Sequence, residues 1–115
     1  MMEPKTIFCD IDGCLIEHQQ YYTDNVVVLN GTKEKIKEWD KNGNRLILTT
    51  GRRESARSIT EKMLSDNSIT YDQLIMGLGP NQRVLINDLR PSDETLETAI
   101  SHNLKRNQGI KDLDI

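Results

Sequence analysis

The chain contains few cysteines, few aromatic residues and no long apolar run. Its two cysteines, Cys9 and Cys14, are too few for a disulfide framework and have no second pair at the spacing of metal ligands. No apolar run approaches the ~18 residues that span a bilayer, and the N-terminus has no long apolar segment of the kind found in secretory signals. We therefore expect a protein of a reducing, cytoplasmic compartment with no membrane partner.

Size and charge narrow the class of protein further. The 115 residues leave room for a single domain, over residues 1–115, with one core. Apolar residues make up 36% of the chain and charged residues 29%, a balance that suits a small globular protein. The net charge of −3 argues mildly against nucleic acid or an anionic membrane surface as partner, so a small, diffusing substrate is the more natural expectation.

The first half of the chain predicts two strand–helix pairs. Residues 5–10 contain an unbroken apolar centre, which indicates a strand buried on both faces. Residues 32–42 have apolar positions at helical spacing and predict a helix. Residues 45–51 predict a second buried strand, and residues 53–66, with Ile59 in the apolar stripe, predict a second helix.

The second half continues the same alternation. Residues 71–77 predict a short third strand, and residues 82–91 predict a fourth with an apolar centre. Ser92 is a suitable N-cap for a last helix. The apolar stripe of that helix consists of Leu96, Ala99, Ile100 and Leu104. From Asn107 onward the tail is polar, and we expect it to be frayed.

Strands that alternate with helices indicate an α/β fold. Right-handed crossovers then give a mainly parallel central sheet with helices on both faces, a three-layer Rossmann-like arrangement. In such folds ligands bind beyond the carboxyl ends of the strands. The segment 13–31 does not fit this alternation, and it is predicted to form a small flap or hairpin that projects from the domain.

Polar side chains follow three of the predicted strands. Asp10 ends the first strand and Asp12 follows two residues later, so both side chains point the same way if the strand geometry continues. The second strand ends in the run 49–51, Thr-Thr-Gly, and the fourth ends in Asn87 and Asp88. Because parallel strands end at one edge of the sheet, we expect these three clusters to converge.

Two carboxylates this close together raise each other's pKa unless a cation neutralises their charge. Hard oxygen ligands suit Mg²⁺, which keeps several waters and often shares phosphate oxygens of a substrate. Asp10 and Asp12 supply two carboxylates, and Asp88, with Asn87, completes the predicted set of oxygen ligands. Gly13 allows the backbone to turn away sharply after the acidic pair.

The sequence DIDG at 10–13, the sequence LTTGR at 48–52 and the late strand that ends in Asn87 and Asp88 occur in that order. Together they resemble the haloacid dehalogenase superfamily of phosphohydrolases over essentially the whole chain. The resemblance implies that Asp10 attacks phosphorus and forms an aspartyl-phosphate. It implies that Asp12 protonates the leaving oxygen and later activates water, beside a metal ion.

The resemblance also implies a phosphate-binding group at the end of the second strand. Thr50 is the best match for the hydroxyl that binds the phosphoryl group, with Thr49 as the alternative, and Gly51 and Arg52 follow it. The family's third motif normally supplies a lysine, which this sequence lacks at that place. Arg83 is the nearest cation and is expected to take its role.

These features predict a Mg²⁺-dependent phosphatase for a small phosphorylated metabolite, such as a sugar phosphate. An Asp at position 12, where the dehalogenase branch has Tyr, resembles the phosphatase branch. The absence of a large cap leads us to expect a homo-oligomer, a dimer or tetramer, that covers the site. Two alternatives remain open, a non-catalytic phosphate-binding module and a polynucleotide 3′-phosphatase, although the negative net charge makes nucleic acid less expected.

Overall fold

The computed structural model describes residues 3–18 and 25–115. Three strands and two α-helices alternate along the chain, with one short 3₁₀ turn before the second helix. In order they are β1 (Thr6–Asp10), α1 (Thr32–Lys41), β2 (Arg45–Thr49), the 3₁₀ turn (Glu54–Ala56), α2 (Arg57–Asp66) and β3 (Gln73–Ile75). The predicted β/α alternation is therefore confirmed through β3.

The three strands form one parallel sheet in the order β1-β2-β3, so β1 lies at an edge. The register pairs Asp10 with Thr49, the last residues of β1 and β2. Farther along β2, Leu48 pairs with Leu74 of β3. This register brings the carboxyl ends of β1 and β2 side by side, as the sequence predicts.

Helix α1 begins after Gly31, whose φ of 87° is in the left-handed region. Its buried face consists of Thr32, Ile36 and Trp39, which follow the three- and four-residue spacing of a helix. The helix ends before Gly43, which also has a positive φ, of 82°. The prediction of a helix over 32–42 is confirmed.

Helix α2 begins later than predicted because residues 54–56 form a tighter 3₁₀ turn. Its buried residues are Thr60, Met63 and Leu64. Ile59 is exposed, so its predicted place in the buried apolar stripe is wrong. Within the described part of the chain, neither this helix nor α1 has the length and apolar character needed to cross a membrane.

The sheet is covered on one face. Leu48 is fully buried and pairs in register with Cys9 and Leu74. On the opposite face Phe8 is 54% exposed and Ile75 is also exposed. Both crossovers step the same way across the sheet, so right-handed connections place α1 and α2 on the same face. The predicted second helical layer is not present among the described residues, and the three-layer expectation is wrong there.

The fourth strand predicted at 82–91 is also not formed. This stretch is irregular and exposed, and Ile86 is 88% exposed. Local hydrogen bonds replace a strand ladder: Asn87 Nδ2 donates to the carbonyl of Thr98, and Thr98 Oγ1 donates to the carbonyl of Asp88. The β-branched residues favour a strand only where a neighbouring strand and a core are present.

The helix predicted from Ser92 is wrong for a related reason. The Asp93 carboxylate accepts hydrogen bonds from the backbone N–H and the hydroxyl of Thr95, and these bonds lower the pKa of Asp93. Such a local turn competes with the first turn of a helix. Since Leu96 and Ile100 remain exposed, no packed apolar face stabilises a helix here.

The tail from Asn107 is packed rather than frayed, contrary to the expectation. Ile110 is 1% exposed and belongs to the hydrophobic core, and Leu113 and Ile115 pack against that core. We call residues 106–113 the C-terminal strap. A few buried apolar side chains are sufficient to order a tail that is polar on average.

The predicted flap at 13–31 is described in two pieces, because residues 19–24 lie outside the described residues. The two pieces contact each other through an antiparallel bridge between Ile16 and Val28. A backbone hydrogen bond of 2.9 Å from Leu29 N–H to the carbonyl of Leu15 extends this contact. These contacts join the two described pieces, and the flap itself stays a prediction.

Candidate active site

The carboxyl ends of β1 and β2 bring the first acidic residue next to a threonine. Thr49 Oγ1 donates a hydrogen bond of 3.0 Å to Asp10 Oδ1. The two residues are register partners, so the strand pairing itself sets this contact. The Asp10 side chain is 51% exposed and can therefore be reached by a ligand from solvent.

The second acidic residue is held by an arginine. The Asp12 carboxylate accepts hydrogen bonds from Arg52 Nε at 2.9 Å and from Arg52 Nη2 at 2.8 Å, a bidentate ion pair. Thr50 Oγ1 lies 3.4 Å from Asp12 Oδ2 and adds a weaker contact. The Asp12 side chain is only 18% exposed. The arrangement fixes this carboxylate in position beside β2.

Arg52 is itself nearly inaccessible, with 5% of its side chain exposed. Its Nη1 donates to Thr60 Oγ1 on α2 at 3.1 Å, and its backbone N–H donates to Thr50 Oγ1 at 3.1 Å. The guanidinium therefore faces Asp12 and α2 rather than solvent. This placement favours a role in positioning Asp12, and direct phosphate binding by Arg52 stays a prediction.

Backbone hydrogen bonds from the β3 side hold the loop after β2. Thr50 N–H donates to the carbonyl of Ile75 at 3.1 Å, and Gly77 N–H donates to the carbonyl of Arg52 at 2.7 Å. A Cβ on Gly51 would come within 3.0 Å of the carbonyl oxygen of Leu78. Packing against Leu78 thus favours glycine at position 51, in addition to its predicted place beside a phosphate.

Arg83 lies at the site although no strand carries it. Its Nη2 is 4.0 Å from Asp10 Oδ1, and its Nη1 donates to the carbonyls of Gly79 and Asn81. These carbonyls orient the guanidinium, which is 43% exposed. The structure thus brings Arg83 next to the predicted nucleophile, where the sequence lacks the family's lysine.

Asn87 and Asp88, by contrast, interact with Thr98. The described residues contain no group of three or more His, Cys, Asp or Glu side chains placed to hold a metal ion. Mg²⁺ is usually held by one or two carboxylates, with waters and substrate oxygens as its other ligands, so the Asp10 carboxylate at the strand end fits part of such a site. No catalytic step is assigned to a metal. The metal-binding role of Asp10, Asp12, Asn87 and Asp88 stays a prediction.

The two cysteines lie next to this acidic site. Burial raises the pKa of the Cys9 thiol to about 12, with smaller contributions from the charges of Cys14 and Asp10. Burial and then Asp10 also raise the pKa of Cys14. Both thiols are therefore protonated at neutral pH, and neither is suited to act as a nucleophile.

Two contributors to the site cannot be read from the motifs. Thr60 contacts Arg52 from α2, and no sequence pattern links a threonine in a helix to a loop arginine. The C-terminal strap lies against Gly13. In the sequence, packing of this tail is indicated only by three apolar residues in a polar segment, Ile110, Leu113 and Ile115.

Comparison with known proteins agrees with this geometry. The sequence model of the haloacid dehalogenase-like hydrolases matches residues 7–75, more than half of the chain. Solved structures that are similar in fold include the following two. A chain in the structure of the Pnkp1/Rnl/Hen1 complex is 28% identical with a TM-score of 0.57, over 70% of this chain and 30% of that one.

A chain in the structure of the Pnkp1/Rnl/Hen1 RNA repair complex is 30% identical with a TM-score of 0.56, over 68% of this chain and 27% of that one. This protein therefore spans less than a third of the length of either structural relative. Comparison with curated proteins gives no match. With its family motifs at the ends of β1 and β2, this chain belongs to the haloacid dehalogenase-like hydrolases.

Proposed function

We propose that this protein hydrolyses a phosphate monoester, with Asp10 as the nucleophile. The observation that carries the proposal is the position of Asp10, a half-exposed carboxylate at the end of β1, between the Thr49 hydroxyl and the Arg83 guanidinium. A donor and a cation beside a carboxylate suit the binding of an incoming phosphoryl group. Family membership supports the same class of reaction.

The reaction divides into two balanced steps. An Asp10 carboxylate oxygen attacks phosphorus, the bond from phosphorus to the ester oxygen breaks, and the leaving oxygen takes a proton from the Asp12 carboxyl group. Asp12, now a carboxylate, then removes a proton from water, whose oxygen attacks the aspartyl-phosphate. Inorganic phosphate leaves, Asp10 is regenerated, and Asp12 holds the proton that it donates in the next turnover.

The ion pair with Arg52 corresponds to the second of these steps. The guanidinium donates two hydrogen bonds to Asp12 and so holds in place the oxygens that accept the proton of water. Arg83 offsets negative charge on the phosphoryl group and on Asp10. A Mg²⁺ ion bound at the strand ends would offset the same charge, and its requirement is part of the proposal to be tested.

Two classes of substrate are supported by different observations. The net charge of −3 favours a small phosphorylated metabolite over a polyanion. The similarity to chains from an RNA repair complex supports a terminal phosphate of a polynucleotide as the second candidate. The half-exposed Asp10 admits a bulky substrate as well as a small one.

The test measures the release of inorganic phosphate in the presence of Mg²⁺. The substrates are p-nitrophenyl phosphate, a panel of sugar phosphates and an oligoribonucleotide with a 3′-phosphate. We expect hydrolysis by the wild type and a loss of at least about 10³-fold in Asp10→Asn. Asp40→Asn, on the exposed side of α1, is the matched control and should behave as the wild type.

The same experiment separates the alternatives. Equal residual activity in the wild type and in Asp10→Asn would overturn the proposal. Binding of phosphate without hydrolysis would support a non-catalytic module instead. A preference of kcat/KM for the oligoribonucleotide over every sugar phosphate would select the polynucleotide substrate, and full activity in excess EDTA would remove Mg²⁺ from the proposal.

A further inference from the structure

The loop after β1 is held by a residue from the other end of the chain. This loop, residues 13–18, directly follows Asp12 and begins at Gly13, whose φ is 89°. The backbone N–H of Asn107 donates a hydrogen bond of 2.9 Å to the carbonyl of Gly13. Asn107 Oδ1 accepts a hydrogen bond of 2.7 Å from the backbone N–H of His18. One residue thus contacts both ends of the loop.

The backbone of Asn107 is shaped for these two contacts. Its φ of 65° is in the left-handed region, where asparagine is several times more frequent than most residues. In this conformation its backbone N–H and its side chain reach the two ends of the loop together. Alanine at this position would lose the side-chain acceptor and would be strained, whereas glycine would lose the acceptor alone.

The C-terminal strap, which contains Asn107, is packed against the core and the turn before α1. Ile110 is buried in the core, and its N–H donates a hydrogen bond of 2.9 Å to the carbonyl of Asn30. A Cβ on Gly109 would come within 2.4 Å of that same carbonyl oxygen, so the strap and the turn before α1 are in close contact. The strap next to Asn107 is therefore held by contacts that do not involve the loop.

The loop in turn sets the backbone of Asp12. Gly13 N–H donates to the carbonyl of Ile16 at 2.8 Å, and Ile16 forms a parallel bridge with Asp12. A shift of the loop would move Asp12 relative to Asp10 and Arg52. Misplacing a catalytic group by about 1 Å can cost about 10²-fold in rate.

We propose that Asn107 is a positioning residue for the loop after β1, acting through its hydrogen bonds to Gly13 and His18. The proposal rests on the proposed phosphatase function. It adds a requirement that lies outside residues 7–75, where the family match ends. The contacts of Asn107 are to the backbone of Gly13 and His18, so we expect it to contribute to the chemical step and not to substrate binding.

The test compares three variants with the wild type, using the best substrate of the phosphatase panel. Asn107→Gly keeps the left-handed backbone and the N–H but loses the acceptor. Asn107→Asp keeps the acceptor. Asn103→Gly is the matched control, since Asn103 is exposed and its side chain donates to Ser101 within the irregular segment. Amide hydrogen exchange at His18 reports on the contact directly.

We expect kcat to fall by about tenfold or more in Asn107→Gly with KM changed by less than about twofold, because geometry and not binding is lost. Exchange of the His18 amide should accelerate in that variant. Asn107→Asp should recover most of kcat, and Asn103→Gly should match the wild type. These results would establish the positioning role.

Other outcomes would overturn it. An unchanged kcat in Asn107→Gly, with the wild type active, would remove the positioning role while the proposed function stands. A wild type inactive on every substrate would remove the proposed function, and with it any positioning role for that reaction. Faster His18 exchange with unchanged kcat would show that the contact is structural only.

Discussion

Arg52 binds the Asp12 carboxylate with two hydrogen bonds, of 2.9 and 2.8 Å, and is itself 5% exposed. The pair links the backbone just after β1 to the loop after β2. A hydrogen bond from Arg52 to Thr60 connects both to α2. A buried guanidinium of this kind holds three elements in one arrangement. Its removal would leave a carboxylate and a hydroxyl without their strongest partner.

The first prediction concerns this ion pair. We expect Arg52→Met to lower the free energy of unfolding by about 3 kcal/mol, because Asp12 becomes a largely buried charge without a counter-ion. Urea denaturation measures the loss. Arg53→Met is the matched control at the next position, where the side chain is exposed, and should change stability by less than about 0.5 kcal/mol. Equal losses in both variants would contradict a special role for Arg52.

A second prediction tests the packing of the C-terminal strap. Gly31 and Gly77 both have positive φ, of 87° and 77°. A Cβ on Gly31 would lie 2.4 Å from the backbone of Lys111, whereas a Cβ on Gly77 would meet nothing within 4 Å. We expect Gly77→Ala to cost about 1 kcal/mol from backbone strain alone, and Gly31→Ala to cost clearly more.

Chemical denaturation of the two alanine variants checks this difference. Since the backbone strain is similar at both positions, the excess cost in Gly31→Ala reports on the strap. The same cost in both variants would show that the strap is not held against the turn before α1 in solution.

A third prediction concerns the exposed segment at 82–104. Glu94 and Glu97 lie in irregular backbone, whereas Glu38 and Glu61 lie in helices, and all four side chains are exposed. A glutamyl endopeptidase needs an extended backbone, so it should cut after Glu94 and Glu97 at least about tenfold faster. Mass spectrometry of the first fragments measures the order of cleavage. Equal protection of the four sites would mean that a helix forms there in solution.

The fourth prediction follows from the thiol of Cys9. Its pKa is raised from 9.0 to about 12 by burial, so between these values the unfolded chain loses a proton that the native state keeps. The free energy of unfolding therefore falls as pH rises through this range, at most by ~1.4 kcal/mol per pH unit for this group, and the full stability is present below pH 9.

Denaturation at pH 8 and at pH 10 measures the effect in the wild type and in Cys9→Ala. The variant lacks the titrating thiol, so we expect its loss between the two pH values to be smaller by about 1 kcal/mol. An identical loss in the variant would show that the Cys9 thiol ionises normally in the folded state.

The part of the site at the ends of the first two strands could be predicted. Asp10 and Thr49 each end an apolar run, and parallel strands end at a common edge, so the pattern predicts that the two clusters converge. That Thr49 and not Thr50 donates to Asp10 is set by the register of the strands. Arg83 could be named as the nearest cation, but its 4.0 Å approach to Asp10 depends on the carbonyls that orient it.

The rest depends on contacts between distant parts of the chain. The strand at 82–91 and the helix after Ser92 have the right local propensity, yet a strand needs a paired neighbour and a short helix needs a packed face. The polar composition from Asn107 onward predicts a frayed tail, because composition does not reveal a single buried anchor such as Ile110. A sequence pattern reports local propensity, whereas the structure of these three segments depends on packing.

The proposed nucleophile ends the outermost strand of the sheet. β1 is bonded to β2 on one side, so local opening of β1 breaks a single ladder, whereas opening of β2 breaks two. A phosphoryl group bound to Asp10 and to the threonines at the end of β2 would bridge the two strands. Ligand binding would then also stabilise β1 in the sheet, and saturation with substrate would raise the free energy of unfolding of the protein.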